Sequence, residues 1–131
     1  MTTKILVIED NEQNRYLVTY LLEANGYKVA TAKDGYEGID LANSLLPGLI
    51  LLDIQLPGMD GYLVARELRQ NPALDDVPIV AITSYAMVGD RERVLATGCN
   101  GYIEKPINPD TFLAEVESHL PADTTTTGDS S

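Results

Sequence analysis

Five times along this chain a short run of β-branched and leucine residues gives way to a longer stretch with helical spacing. Four of those runs end on polar residues. Ile5-Leu6-Val7-Ile8 leads into Glu9-Asp10, Leu49-Ile50-Leu51-Leu52 into Asp53, Val80-Ala81-Ile82 into Thr83-Ser84, and Tyr102-Ile103-Glu104 into Lys105-Pro106. Unbroken apolar runs of this length belong to strands covered on both faces, the condition of a parallel sheet. Strict alternation with helices then requires right-handed crossovers that place helices on both faces.

Five such units predict a doubly wound α/β domain of the flavodoxin-like (βα)5 type, with parallel strands in the order 2-1-3-4-5. The spacing predicts strands at about 4–9, 28–32, 49–53, 78–83 and 100–104, the second being weak and at an edge. Helices are expected at about 11–25, 35–45, 61–70 and 87–97, with a fifth starting near Pro109, a favoured first-turn residue. Leu17, Tyr20, Leu21 and Ala24 form the expected inward stripe of the first helix. Ile39, Ala42 and Leu46 do so in the second, and Phe112, Leu113, Val116 and Leu120 in the last. Asn25-Gly26, Pro47-Gly48 and Gly98 are the expected stops, and Asp60 the expected cap of the third helix. Residues 1–120 are read as one domain and 121–131, rich in Thr, as a disordered tail or linker.

Charge and cysteine content remove several classes of function. A formal net charge of −11 opposes binding to nucleic acid or to an anionic membrane, both of which need basic clusters. One cysteine excludes an internal disulfide framework and fits a reducing compartment. The start of the chain carries no signal-peptide stretch, and no apolar run approaches the ~18–20 residues that span a bilayer. The expectation is a cytoplasmic domain with no nucleic-acid or membrane partner.

In a sheet of this kind ligands bind at the carboxyl ends of the strands, where the strand order reverses. Glu9, Asp10, Asp53, Thr83 and Lys105 would all meet there. Three carboxylates raise one another's pKa unless a cation intervenes, and a hard all-oxygen set suits Mg²⁺. A hydroxyl and an ammonium facing them are what the oxygens of a phosphoryl group need. Asp53 is the central carboxylate and a possible nucleophile on phosphorus.

These motifs resemble the receiver domain of two-component response regulators over residues 3 to about 120. The resemblance rests on Leu6-Val7-Ile8-Glu9-Asp10-Asn11, on Leu51 to Gly61, on Ile82-Thr83-Ser84 and on Gly101 to Pro106, in that order. It implies that Asp53 accepts phosphate from the phosphohistidine of a sensor kinase or a histidine phosphotransfer protein. It implies Mg²⁺ held by Asp10 and Asp53, by Glu9 through water, and by the main-chain oxygen of Gln55. Lys105 would hold the phosphoryl group in a cis Lys-Pro turn. Thr83 would move toward the phosphate and Tyr102 would swing in behind it. The downstream partner would then read the face made by the fourth helix, fifth strand and fifth helix, as a monomer or a phosphorylation-linked dimer. Such a domain is no enzyme beyond self-phosphorylation from small donors and slow self-dephosphorylation. The look of Gly98-Cys99-Asn100-Gly101-Tyr102 is nearest the stand-alone cell-division and polarity type, or receivers attached to hybrid kinases.

Other residues are expected to be structural. His119 falls in the last turn of the final helix, where a partial positive charge is favourable, and Cys99 reads as a packing residue. Asn14, Arg15 and Tyr16 lie, by resemblance, near where a phosphodonor docks, and Tyr85 is expected to shield the acyl phosphate. Two rival functions stay open. A haloacid-dehalogenase-type phosphatase would want an acid two residues after its nucleophile, where Gln55 stands. A flavodoxin-type cofactor binder would want a Gly- and hydroxyl-rich loop, where Glu9-Asp10-Asn11-Glu12 stands.

Overall fold

In the computed structural model, which describes residues 3–56, 58–84 and 88–120, the five apolar runs pair into one parallel sheet. The strands are β1 (Lys4–Ile8), β2 (Lys28–Ala32), β3 (Leu49–Asp53), β4 (Ile79–Thr83) and β5 (Gly101–Glu104). Their order is β2-β1-β3-β4-β5. The helices are α1 (Glu12–Glu23), α2 (Gly35–Leu45), α3 (Gly61–Arg69), α4 (Val88–Ala96) and α5 (Phe112–Glu117), with a 3₁₀ turn at Pro72–Leu74. This is the expected doubly wound flavodoxin-like (βα)5 fold. Among the described residues no helix is long and apolar enough to cross a membrane.

The unbroken apolar runs are explained by two cores. Ile5, Val7, Leu49, Leu51, Val80, Ile82 and Ile103 face one side, against Val18 and Leu22 of α1 and Phe112 and Val116 of α5. Leu6, Ile8, Ile50, Leu52, Ile79 and Ala81 face the other, against Ala42 of α2, Val64 and Leu68 of α3 and Val94 of α4. Successive side chains of a strand point to opposite faces, so a strand covered twice must be apolar throughout.

Three packing expectations are corrected. On α1 the fully buried pair is Val18 and Leu22, while Leu17 and Leu21 are half-buried, Ala24 is exposed and Tyr20 is 60% exposed. Adjacent apolar pairs make the stripe ambiguous by one residue, and the sheet selects the one that centres β-branched Val18 over it. On α2 the buried stripe is Gly35, Gly38 and Ala42. A Cβ at Gly38 would lie 2.8 Å from Ile8 Cγ1, so small residues are what let this helix approach the sheet. Leu46 is turned out by its left-handed C-cap conformation (φ 49°), and is half exposed. Finally, α5 begins at Phe112, not near Pro109. The Asn108 side chain accepts a hydrogen bond from the Asp110 amide at 2.9 Å, and its carbonyl accepts from Thr111 and Phe112. That local turn competes with the first helical turn, and Phe112, Val116 and Leu120 still reach the core.

The expected stops and the α3 cap are present. Gly26 (φ 93°) and Gly98 (φ 105°) take left-handed conformations after α1 and α4, and the Asp60 carboxylate accepts from the Tyr62 amide at 2.9 Å. Tyr85 and the 121–131 tail lie outside the described residues.

Candidate functional site at the carboxyl edge of the sheet

The sheet order brings β1 and β3 side by side, with the chain winding in opposite directions from them, so the crevice at the reversal lies over their carboxyl ends. The register pairs Ile8 with Leu52 and Asp53 with Ile82. Glu9 and Asp53 therefore emerge at one edge, and Thr83 pairs with Glu104 of β5 just before Lys105. Glu9, Asp53 and Thr83 are each 1% exposed, whereas Asp10 is open to solvent.

One carboxylate oxygen from each of Glu9, Asp10 and Asp53 lies within 4.8 Å of the other two. The Lys105 ammonium is 3.2 Å from Asp53 Oδ2 and 3.8 Å from Glu9 Oε1. The Lys105-Pro106 peptide bond is cis. The remaining carboxylate lone pairs are aimed by backbone amides. Gln55 N–H donates to Asp53 Oδ1 at 2.9 Å, and Asn11 N–H donates to Glu9 Oε2 at 3.1 Å. Gly61 also matters here: a Cβ on it would fall 2.7 Å from the Ile54 carbonyl oxygen and 2.8 Å from that of Asp53. Only glycine lets α3 start so close beneath the acidic strand end.

Among the described residues three carboxylates cluster beside one ammonium, and the imbalance is felt at Glu9. Burial first, then the hydrogen bond and charge of Asp53, push Glu9 up to about 8, against the smaller opposing pull of the Asn11 amide and Lys105. A buried acid with that proton affinity sits beside an exposed carboxylate and a second buried one, all oxygen donors. That donor set matches a hard divalent cation bound through a few carboxylates and water. It matches neither a soft metal nor an anionic cofactor.

Thr83 lies buried at the end of β4, next to Asp53 in the sheet order. Tyr102 is half-buried on β5 and packs against the cluster that includes Val94 of α4. The side chain of Gln55 is exposed and turns to β4, where its Oε1 accepts from Ser84 Oγ at 2.5 Å and from Ser84 N at 3.4 Å. The sequence reading missed that bridge. It also placed Arg15 only in the region of donor docking, whereas its Nη1 donates to the carbonyls of Glu9 (2.9 Å) and Asp10 (3.4 Å). The signal was an arginine in the first turn of α1, five residues past Asp10. Cys99 is buried, which raises its thiol pKa, as a packing residue should be. His119 lies against Gly101, where a Cβ would meet its ring, and far along β5 from the acidic edge.

Fold and acidic edge together point to the class of signalling receiver domains. Residues 5–117 match the family model of the response regulator receiver domain, and the chain belongs to that family. It is similar to the polar-differentiation response regulator DivK of Brucella ovis, 42% identical over 120 residues that cover 92% of this chain and 98% of that protein. Among solved structures it is similar to the Vibrio cholerae chemotaxis protein CheY4, with TM-score 0.88, 28% identity, and coverage of 92% and 100%. It is also similar to the receiver domain of a Pseudomonas aeruginosa sensor histidine kinase, with TM-score 0.83, 34% identity, and coverage of 91% and 98%. That structure has a magnesium ion coordinated in its active-site cleft. Members of the family are signalling proteins of two-component systems, interacting with kinases or phosphotransfer proteins and with downstream targets.

Proposed function

We propose that the protein is a phosphoacceptor in a two-component pathway, taking a phosphoryl group onto Asp53 from a phosphohistidine of a sensor kinase or histidine phosphotransfer protein. The observation that carries this reading is the Asp53 carboxylate: buried, central to three acids, and 3.2 Å from the Lys105 ammonium. In the transfer an Asp53 oxygen forms a bond to phosphorus as the donor's phosphorus–nitrogen bond breaks. Asp10 and Asp53 would hold Mg²⁺ directly, Glu9 through water, and Gln55 through its main-chain oxygen. When bound, Mg²⁺ supplies the positive charge that offsets the carboxylates and the phosphoryl oxygens.

The chain's own residues do the rest. Lys105 holds a phosphoryl oxygen with a charge-assisted hydrogen bond. Thr83 donates its hydroxyl to another, and Tyr102 follows into the space that the hydroxyl leaves. The added charge of about −1.5 to −2 is what these donors answer. The surface altered is that of α4, β5 and α5, where a downstream protein would bind. Similarity to the response regulator DivK and to the chemotaxis protein CheY4 supports a signalling role, and the net charge of −11 disfavours a nucleic-acid partner.

The test is phosphate incorporation from a small acyl phosphate with and without Mg²⁺, alongside Asp53→Asn. Metal-dependent labelling that the variant loses is the expected result. Labelling that persists in Asp53→Asn would place the acceptor elsewhere and overturn the reading.

A further inference from the structure

Two of the three carboxylates at the acidic edge are fixed by donors of their own, and the third is not. Backbone amides donate to Glu9 at 3.1 Å and to Asp53 at 2.9 Å, and both acids lie beside Lys105. Asp10 is the exposed member. Among the described residues no donor reaches its carboxylate, so its aim follows from the main chain that carries it.

One side chain grips that main chain. Arg15, in the first turn of α1, donates from Nη1 to the Glu9 carbonyl at 2.9 Å and to the Asp10 carbonyl at 3.4 Å. These carbonyls belong to the two peptide planes on either side of the Asp10 Cα, so both soft dihedrals of Asp10 are held. The following residue is pinned as well, because Asn11 Oδ1 accepts from the Asn14 amide at 2.9 Å. An arginine beside several carboxylates ordinarily pairs with one of them. Among the described residues the ion pairs of Glu9 and Asp53 go to Lys105, and Arg15 bonds to carbonyls instead. The acids thus stay available to a cation while the chain that carries two of them is fixed.

We infer that Arg15 is a positioning residue for the divalent cation, presetting the Asp10 carboxylate and thereby favouring Mg²⁺ over Ca²⁺. The inference rests on the metal-site reading above. Mg²⁺ demands short, near-octahedral oxygen ligation, whereas Ca²⁺ accepts longer and irregular sets. A loosened Asp10 therefore costs the smaller ion more. Charge alone works in the opposite direction: a guanidinium repels a cation, so its loss would strengthen the binding of both ions.

The test is NMR titration of the unphosphorylated protein with Mg²⁺ and, separately, with Ca²⁺. Arg15→Met keeps an apolar stem and removes the charge and the donors, while Arg15→Lys keeps the charge on a side chain one bond shorter. In both variants Mg²⁺ affinity should fall about tenfold and Ca²⁺ affinity by less than about threefold. A merely structural weakening of the loop would lower both affinities together. Equal losses for the two ions, or unchanged Mg²⁺ affinity, would each overturn the inference. So would tighter Mg²⁺ binding in Arg15→Met beside parent-like binding in Arg15→Lys, which would reduce Arg15 to a charge. A parent protein that binds neither ion would instead refute the metal-site reading, and the inference would fall with it.

Discussion

At the amino ends of β4 and β5 donors meet acceptors; at the carboxyl edge of the sheet the described carboxylates outnumber the cation beside them. Below the sheet, Arg69 of α3 directs three donors at three acceptors: the Gly98 carbonyl at 2.9 Å, the Leu74 carbonyl at 2.6 Å and Asn100 Oδ1 at 2.8 Å. Asn100 Oδ1 accepts from the Ile79 amide as well, and the Asn100 amide donates to the Ile79 carbonyl. At the carboxyl edge, Glu9 and Asp53 share the Lys105 ammonium with Asp10 beside them, and Glu9 is driven toward protonation. The same sheet therefore carries a satisfied edge that holds the fold and an opposite edge with negative charge in excess. Matched polar groups stabilise; charge left in excess costs stability and confers binding.

The sharpest way to break that comparison is to neutralise the acceptor. Asp53→Asn should abolish phosphate incorporation while making the metal-free protein more resistant to urea above about pH 8, by about 1 kcal/mol, since Glu9 ionises there and loses a buried neighbour of like charge. A loss of stability instead would mean that the Lys105–Asp53 pair outweighs the repulsion. Arg69→Ala should act in the opposite sense. It should cost about 2–4 kcal/mol of unfolding free energy by leaving three partners unmatched. The folded fraction should label at the parent rate.

The pH response sharpens the same contrast. The folded protein binds the Glu9 proton more tightly than the unfolded chain does, with its pKa moved from 4.5 to about 8. The resulting stabilisation is complete below about pH 4.5 and is lost as pH rises toward 8, at no more than about 1.4 kcal/mol per unit. Urea midpoints of the metal-free protein between pH 5 and 9 should fall accordingly, and Glu9→Gln should flatten the slope. Mg²⁺ competes with that proton, so its affinity should rise over the same window, as calorimetric titration would measure. The smallest effect is expected from Tyr27→Phe. It removes a 2.6 Å hydrogen bond to Glu117 that, with burial, holds the phenol up to about 12. About 1 kcal/mol of stability should go, with labelling unaffected.

The sequence by itself determined the fold and the membership of the site. Unbroken apolar runs demand a sheet covered on both faces, and strict alternation with helices demands parallel order. Residues that end successive parallel strands must then share one edge, so Glu9, Asp10, Asp53, Thr83 and Lys105 could be placed together before any distance was measured. Local chemistry also carried the stops at Gly26 and Gly98 and the cap at Asp60, because each depends on its immediate neighbours alone. What depends on contacts between distant segments was decided by the tertiary structure. It chose Val18 over Leu17 for the core, turned Leu46 outward, and delayed α5 to Phe112. It set the charge imbalance that raises Glu9, brought Arg15 onto the Glu9 and Asp10 carbonyls, and closed the Gln55–Ser84 bridge. A periodic pattern specifies which face of an element is apolar to within a residue or so; only the packed sheet specifies the angle at which that face is presented, and with it which polar groups meet.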